Sequence, residues 1–175
     1  MAYYSKIKNV DQIIENISNL KNPKGRFDLI YFKTNKIIVD YAHTPESISQ
    51  VIKYVNPYFS KVVVLFGAGG NRDKEKRKLM GTASQLADSV IVTNDNPRNE
   101  DPIQISNDIL KGCDLSKTTV ILDRKEAITS AINELRENSV LLVLGKGHEM
   151  YQEIDNSHIP FNDNDFINKT IGGLI

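Results

Sequence analysis

The chain is poor in the residues and patterns that mark several large classes of protein. It contains a single cysteine, Cys113, which excludes an internal disulfide and favours a reducing compartment such as the cytoplasm. Lysine plus arginine equals aspartate plus glutamate, at 22 each, so no net field would attract nucleic acid or an anionic membrane. No apolar run approaches membrane-spanning length, and residues 1–9 lack the apolar core of a signal peptide. Any charged ligand must therefore be bound by a local group of residues.

The usual phosphate-binding and zinc-binding patterns are missing as well. No Gly-x4-Gly-Lys-Ser/Thr occurs in the chain, and the third glycine of a Gly-x-Gly-x-x-Gly pattern starting at Gly67 would fall at Arg72. The three histidines and Cys113 do not have the spacing of a zinc site. The sequence therefore predicts no complete ATP site and no metal site within these residues.

Short apolar runs rich in β-branched residues alternate with segments of helical periodicity from residue 37 onward. Near-continuous apolar strands separated by helices are typical of a mostly parallel sheet that is covered on both faces. We therefore predict a three-layer, Rossmann-like α/β fold, which opens with a hairpin and closes with a strand and a helix. The predicted strands are Leu29–Phe32, Lys36–Val39, Val62–Phe66, Val90–Thr93, Thr118–Leu122, Val140–Leu144 and Tyr151–Ile154, and the closing helix is Asp163–Ile171.

The first two dozen residues differ from the rest. Apolar residues between Val10 and Leu20 have the spacing of an amphipathic helix, and Lys21–Gly25 then interrupts the pattern with proline, glycine and charge. We interpret residues 1–24 as the tail of another domain plus a linker, and residues 25–175 as one α/β domain.

Four strand exits carry polar loops, at residues 40–45, 67–73, 94–101 and 145–149. Because the carboxyl ends of parallel strands share one edge of a sheet, these loops are expected to converge on a common cleft. Arg72 and Arg98 offer planar forks that match carboxylates, while Asp95 and Glu149 can accept an ammonium group. The alternative for each arginine alone is a surface salt bridge. Together they predict a pocket for a zwitterion with an extra acidic group.

The same loops carry a resemblance to a known family. They contain Asp40–Tyr41–Ala42–His43–Thr44–Pro45, Gly69–Gly70–Asn71–Arg72–Asp73–Lys74, Asp95–Asn96–Pro97–Arg98 and Gly145–Lys146–Gly147–His148–Glu149. These four motifs resemble, in order, those of the C-terminal domain of the Mur ligases, and the third resembles the members that add meso-diaminopimelate. The resemblance runs from about Gly25 to the end, and residues before it look like the last helix of the family's central ATPase domain. Asn71 departs from the family pattern, which usually has aspartate there.

The resemblance implies ATP-dependent amide-bond synthesis in cytoplasmic peptidoglycan assembly. It implies that Asn96 and Arg98 hold the distal carboxylate of meso-diaminopimelate, that Arg72 holds a second carboxylate, and that Gly145 and Glu149 receive an amino group. The implied substrate-binding set is Arg72, Asp95, Asn96, Pro97, Arg98, Gly145 and Glu149, and the residues implied to reach ATP on domain closure are Arg26, Asp40 and His43.

The resemblance also sets limits on the chain by itself. ATP, Mg²⁺ and the UDP-muramoyl dipeptide would be bound through domains that these 175 residues do not contain, so this chain alone is expected to be inactive as a ligase and as an ATPase. Three alternatives stay open at this point. They are a lysine-adding Mur ligase, a stand-alone amino-acid-binding module, and a relative of folate-polyglutamate ligases.

Overall fold

The protein is an α/β domain with one central sheet and a small separate hairpin. The computed structural model describes residues 23–174, so the predicted helix between Val10 and Leu20 lies outside the described residues. The elements in chain order are β1 (Asp28–Phe32), β2 (Asn35–Asp40), α1 (Pro45–Val55), β3 (Lys61–Phe66), α2 (Glu75–Ser84), β4 (Ser89–Val92), α3 (Pro102–Leu110), β5 (Thr118–Val120), α4 (Arg124–Asn133), β6 (Ser139–Leu144), β7 (Tyr151–Ile154), β8 (Ser157–Pro160) and α5 (Asp163–Gly172).

The central sheet has six strands in the order β1-β2-β6-β3-β4-β5. β1 is antiparallel to β2, and the other neighbouring strands are parallel. β6 is buried along its whole length between β2 and β3, which explains its uninterrupted apolar sequence. The predicted mostly parallel sheet is confirmed.

Helices cover both faces of this sheet. Ile48 and Ile52 of α1, with apolar residues of α2 and α3, pack in one core cluster, and Ile128 of α4 packs with Ile167 of α5 in the other. The chain runs from β3 to β5 with helices on the first face and returns through α4 to β6 on the second. This arrangement confirms the predicted three layers and brings the carboxyl ends of β2, β3, β4 and β6 side by side.

Local sequence signals place the helix starts. Thr44 caps α1 in a complete capping box with Ser47, and Asp101 caps α3 by accepting a hydrogen bond from the Ile103 N–H at 2.9 Å. Asp123 accepts a hydrogen bond from the Glu126 N–H and caps α4. These caps explain why the polar loops end where they do.

Two strand predictions need correction. The strand predicted at Thr118–Leu122 ends at Val120. Tyr151–Ile154 is neither the last strand nor part of the main sheet, because it pairs with β8 in a separate antiparallel hairpin. β8 is exposed along its length and has no apolar alternation. The signal in the sequence that could have predicted β8 is the turn Asp155–Asn156. Both residues have positive φ, as a two-residue type I′ turn requires.

None of the helices formed by residues 23–174 has both the length and the apolar character needed to cross a membrane.

Candidate active site

The four polar loops meet around one cavity of about 240 Å³ at the carboxyl edge of the sheet. This volume is below the roughly 300–1,000 Å³ of pockets for drug-sized ligands and suits a small metabolite. The predicted convergence of the loops is therefore observed. The lining residues are Tyr41, His43, Gly67, Ala68, Gly69, Arg72, Lys76, Met80, Asp95, Asn96, Arg98, Gly145 and Glu149.

One end of the cavity is acidic. Asp95 follows β4, is only 9% exposed, and its carboxylate receives no hydrogen bond from residues 23–174. It lies directly against Gly145, where an added Cβ would come within 2.6 Å of Asp95 Oδ2. Gly145 also has φ of +107°, a conformation that a side chain disfavours. Glycine at this position therefore leaves room for the carboxylate beside the cavity.

The charges that act on Asp95 make this end suited to a cation. Lys146 and Arg124 are the nearby positive charges, and Glu149 and Asp163 are the nearby negative ones. With Asp95 ionised, two cations face three anions and the group carries one net negative charge. Burial raises the pKa of Asp95, and the attraction of Lys146 and Arg124 offsets this only in part. A ligand ammonium group would neutralise the cluster.

Lys146 organises the residues around Asp95. Its side chain is fully buried, and its Nζ donates to Asn96 Oδ1 at 3.0 Å and to Glu149 Oε2 at 2.8 Å. Asn96 Nδ2 in turn donates to Glu149 Oε2 at 2.8 Å. Burial tends to raise the pKa of Glu149, but the Lys146 and Asn96 hydrogen bonds and the Lys146 charge lower it overall. Glu149 is thus held ionised, and the second Nδ2–H of Asn96 has no acceptor within residues 23–174.

A second buried ion pair stabilises the loops that carry Asp95 and Gly145. Arg124, at the start of α4, pairs with Asp163 of α5 through Nε–Oδ1 and Nη2–Oδ2 contacts of 2.8 Å, and both side chains are fully buried. Arg124 also donates to the Asn94 carbonyl at 3.2 Å and to the Leu144 carbonyl at 3.1 Å. It therefore ties the ends of β4 and β6 together where Asp95 and Gly145 begin their loops.

The other end of the cavity is basic. Both predicted arginines lie against Gly69, where an added Cβ would be 2.9 Å from Arg98 Nη1 and 3.5 Å from Arg72 Cγ. Arg98 donates from Nη1 to the Gly70 carbonyl at 2.9 Å and pairs through Nε with Glu153 Oε2 at 2.8 Å. Arg72 is exposed at the same wall, and Lys76 lies beside it in the lining. Two guanidinium groups from separate strand ends therefore meet in one cavity.

A buried arginine that the sequence did not single out fixes the two arginine-bearing loops. Arg77 of α2 is fully buried and binds Glu100 through two hydrogen bonds of 2.7 and 2.8 Å, with a further bond of 3.2 Å to the Gly69 carbonyl. Glu100 also accepts the Asn71 N–H at 3.0 Å. In the sequence, Arg77 stands in a run of charged residues and resembles any surface position of a helix.

The residues predicted to contact ATP lie together beside the cavity, around Tyr41. Arg26 Cζ lies 4.6 Å from the centre of the Tyr41 ring, and the His43 ring packs edge-on to it with 4.6 Å between centroids. Asp40 accepts the Phe27 and Ala42 N–H groups at 2.8 Å each and so fixes the loop that carries Tyr41. Arg26 and His43 are exposed, whereas Asp40 is half-buried.

The remaining predicted site residues take supporting positions. Pro97 is buried and is not part of the lining, although its neighbours on both sides are. His148 is exposed, with its ring centroid 5.1 Å from that of Tyr41, and His158 stacks on Tyr151 outside the cavity. Among residues 23–174, no three histidine, cysteine, aspartate or glutamate side chains are grouped to hold a metal ion.

Comparison with known proteins connects this geometry to a family. The model of the Mur ligase, glutamate ligase domain family matches residues 25–147. The chain is 44% identical over 165 residues to a UDP-N-acetylmuramoyl-L-alanyl-D-glutamate–2,6-diaminopimelate ligase of Rickettsia montanensis, which covers 92% of the chain and 34% of that relative. It is 40% identical over 164 residues to the enzyme of the same name from Aquifex aeolicus, with 92% of the chain and 34% of the relative covered.

Solved structures agree. A structure of a UDP-N-acetylmuramoyl-L-alanyl-D-glutamate–2,6-diaminopimelate ligase superposes with a TM-score of 0.83 at 34% identity, covering 99% of this chain and 36% of that one. A folylpolyglutamate synthase from Mycobacterium tuberculosis shares the fold, with a TM-score of 0.64 at 18% identity over 82% of this chain and 34% of that one. The chain spans about a third of the length of the curated relatives it matches. The family match over most of the chain and the fold together show that this chain belongs to the Mur ligase family.

Proposed function

We propose that this chain is the amino-acid-binding part of an ATP-dependent ligase. The full-length enzyme would join meso-diaminopimelate to UDP-N-acetylmuramoyl-L-alanyl-D-glutamate in the cytoplasm during peptidoglycan synthesis. The observation that carries the proposal is that side chains of both charges line one small cavity. Arg72, Lys76 and Arg98 supply the positive charges, and the Asp95 carboxylate, which receives no hydrogen bond from residues 23–174, supplies a negative one. The distal carbon of meso-diaminopimelate carries both an ammonium group and a carboxylate, which this combination of charges complements.

The proposed roles follow from the charge and the hydrogen-bond donors or acceptors that each side chain has not already used within the protein. Arg98 and the second Nδ2–H of Asn96 bind the distal carboxylate, and Arg72 binds the second carboxylate. Asp95 and Glu149, beside Gly145, accept the ammonium group of the distal end. Lysine has no distal carboxylate, so it would cover the Arg98 guanidinium without giving its remaining N–H groups an acceptor, which disfavours its binding.

The proposed reaction assigns this chain the delivery of the nucleophile. The terminal carboxylate of the UDP-muramoyl dipeptide attacks the γ-phosphate of ATP, which gives an acyl phosphate and ADP. The neutral amine of the bound amino acid then attacks the acyl carbon, the amide bond forms, and phosphate leaves. Because Asp95 and Glu149 hold one amine as an ammonium ion, only the other amine is free to lose its proton and react. Mg²⁺ and the ATP phosphates would be held mainly by residues that this chain does not include.

We further propose that Arg26, Asp40 and His43 reach ATP when the full-length enzyme closes. The half-buried Tyr41 ring with the exposed Arg26 packed over it at 4.6 Å supports this, because such a patch can stack on a purine and attract phosphate. Asp40 would act by holding the loop, since it already binds two backbone N–H groups.

Titration of the chain with meso-diaminopimelate and with lysine, followed by NMR, tests the proposal. We expect binding of meso-diaminopimelate to be stronger by about tenfold or more, because only it pairs with Arg98. Arg98→Ala is expected to abolish the preference, whereas the same change at the exposed Arg136, remote from the cavity lining, is expected to leave it intact. Equal or lysine-favouring binding by the unaltered chain would contradict the proposal.

A further inference from the structure

The β7–β8 hairpin is hydrogen-bonded to Asp95, Asn96 and Arg98 in the loop that carries Arg98. Gln152 Nε2 donates to the Asp95 carbonyl at 2.9 Å, and the Glu153 N–H donates to Asn96 Oδ1 at 3.0 Å. The Arg98 N–H donates to the Glu153 carbonyl at 2.9 Å, and the Asp155 N–H donates to the Arg98 carbonyl at 3.0 Å. A two-stranded hairpin is marginal by itself, and this one lies outside the main sheet. The position of the hairpin therefore depends mainly on its contacts with the loop that carries Arg98.

These bonds hold Arg98 in an unusual backbone conformation. Its φ is +54°, in the left-handed region that residues with a Cβ disfavour. Such a conformation is strained and persists only where the surroundings enforce it. The backbone bonds of Arg98 to Glu153 and Asp155 supply that enforcement. The direction in which the Arg98 side chain leaves the backbone is thus set by the hairpin.

The Glu153 side chain then fixes the guanidinium itself. Its Oε2 lies 2.8 Å from Arg98 Nε in an ion pair, and the Gly70 carbonyl accepts one Nη1–H at 2.9 Å. Nη2 has no hydrogen-bond acceptor among residues 23–174, so its two N–H groups can bind a ligand carboxylate. Glu153 is 26% exposed and Arg98 is 21% exposed, so the pair is not sealed from a ligand.

We infer that Glu153 is a positioning residue that sets the selectivity of the cavity for an amino acid with a second carboxylate. Glu153 pairs with Arg98 at Nε and so holds the guanidinium in the cavity wall with Nη2 left for a ligand. The inference rests on the proposed function for its ligand, because Glu153 acts only through Arg98. A competing role, in which the Glu153 carboxylate neutralises Arg98 and weakens anion binding, makes the opposite prediction for its removal.

The first test needs no ligand. In the NMR spectrum of arginine side chains, the Nε–H of Arg98, assigned with Arg98→Lys, is expected to exchange slowly with solvent, because the Glu153 carboxylate lies against it at 2.8 Å. Glu153→Gln keeps an acceptor oxygen and is expected to retain the protection, and Glu153→Ala is expected to lose it. Glu137→Ala, at an exposed position, is the matched control. An Arg98 signal that is unchanged in Glu153→Ala would overturn the inference.

The second test measures selectivity with meso-diaminopimelate and lysine on the same variants. Glu153→Ala is expected to weaken binding of meso-diaminopimelate about tenfold and to leave lysine unchanged, while Glu153→Gln and Glu137→Ala keep the preference. A preference retained in Glu153→Ala, or tighter binding of meso-diaminopimelate by it, would overturn the inference and leave the proposed function standing. An unaltered chain without a preference would overturn the proposed function and the selectivity role together, and the ligand-free spectrum would still decide whether Glu153 positions Arg98.

Discussion

At the scale of single residues, Asp95 shows how a binding group is kept available at a cost in stability. Its carboxylate is nine-tenths buried and receives no hydrogen bond from the described part of the chain. Burial raises its pKa, so the folded state holds the proton to a higher pH than the unfolded state does. Stability therefore falls as the pH rises from the ordinary value of 3.8 through the folded pKa, and the full cost is present above it.

We predict that Asp95→Asn stabilises the chain while it removes amine binding. The change cancels the one net negative charge of the Lys146–Arg124–Glu149–Asp163–Asp95 group, so a gain of about 1 kcal/mol is expected at neutral pH. Urea denaturation at pH 7 and at pH 3 measures it, because the gain is expected to vanish where Asp95 is protonated in both states. The titration with meso-diaminopimelate is expected to show no binding. A variant that is less stable at pH 7, or that still binds, would contradict this account.

At the scale of elements, ion pairs and hydrogen bonds hold α2 together with the two loops that carry Arg72 and Arg98. Arg77 links α2 to Glu100, and Glu100 reaches back to the Asn71 N–H. The hydrogen bonds from Arg77 hold the pKa of the Glu100 carboxyl well below its usual range, although burial opposes this, and the Asn71 and Lys74 contacts add to the effect. The stabilisation is therefore complete above the ordinary pKa of 4.5 and is lost as the pH falls from there toward the folded pKa.

We predict that Glu100→Gln destabilises the chain by about 2 kcal/mol at pH 7, because it leaves the buried Arg77 charge with Asp108, at 3.2 Å, in place of two anionic partners. The deficit is expected to shrink as the pH drops below 4.5, where the unaltered chain also begins to lose this contribution. Urea denaturation across pH 3–7 follows the difference, and Glu137→Gln at an exposed position provides the control. A deficit that is independent of pH would show that the ion pair is not its source.

At the scale of the whole molecule, the topology explains why separate motifs form one site. Residues 41, 72, 95 and 149 are far apart in the chain, yet they lie on loops that follow β2, β3, β4 and β6 at one edge of the sheet. The assignment of residues 1–24 to another domain stays a prediction, as do the ligand roles of the cavity residues.

We predict that the 175-residue chain alone neither hydrolyses ATP nor forms the amide bond, because its sequence contains no Walker-type phosphate-binding pattern. Phosphate release in the presence of ATP, Mg²⁺ and meso-diaminopimelate is expected to equal that of a blank without protein. ATP hydrolysis that co-purifies with the chain and is lost in Arg72→Ala would contradict this prediction.

The sequence by itself determined the alternation of strands and helices, the helix caps and the loops that carry the site, because apolar periodicity and capping act over a few neighbouring residues. It also predicted that Arg72 and Arg98 share one site, since parallel strands end at the same edge. Only the tertiary structure decided which charged residues are buried and paired. Arg77, Arg124 and Glu153 look like surface positions in the sequence, and their roles depend on packing and hydrogen bonds from segments distant in the chain, which no local pattern encodes.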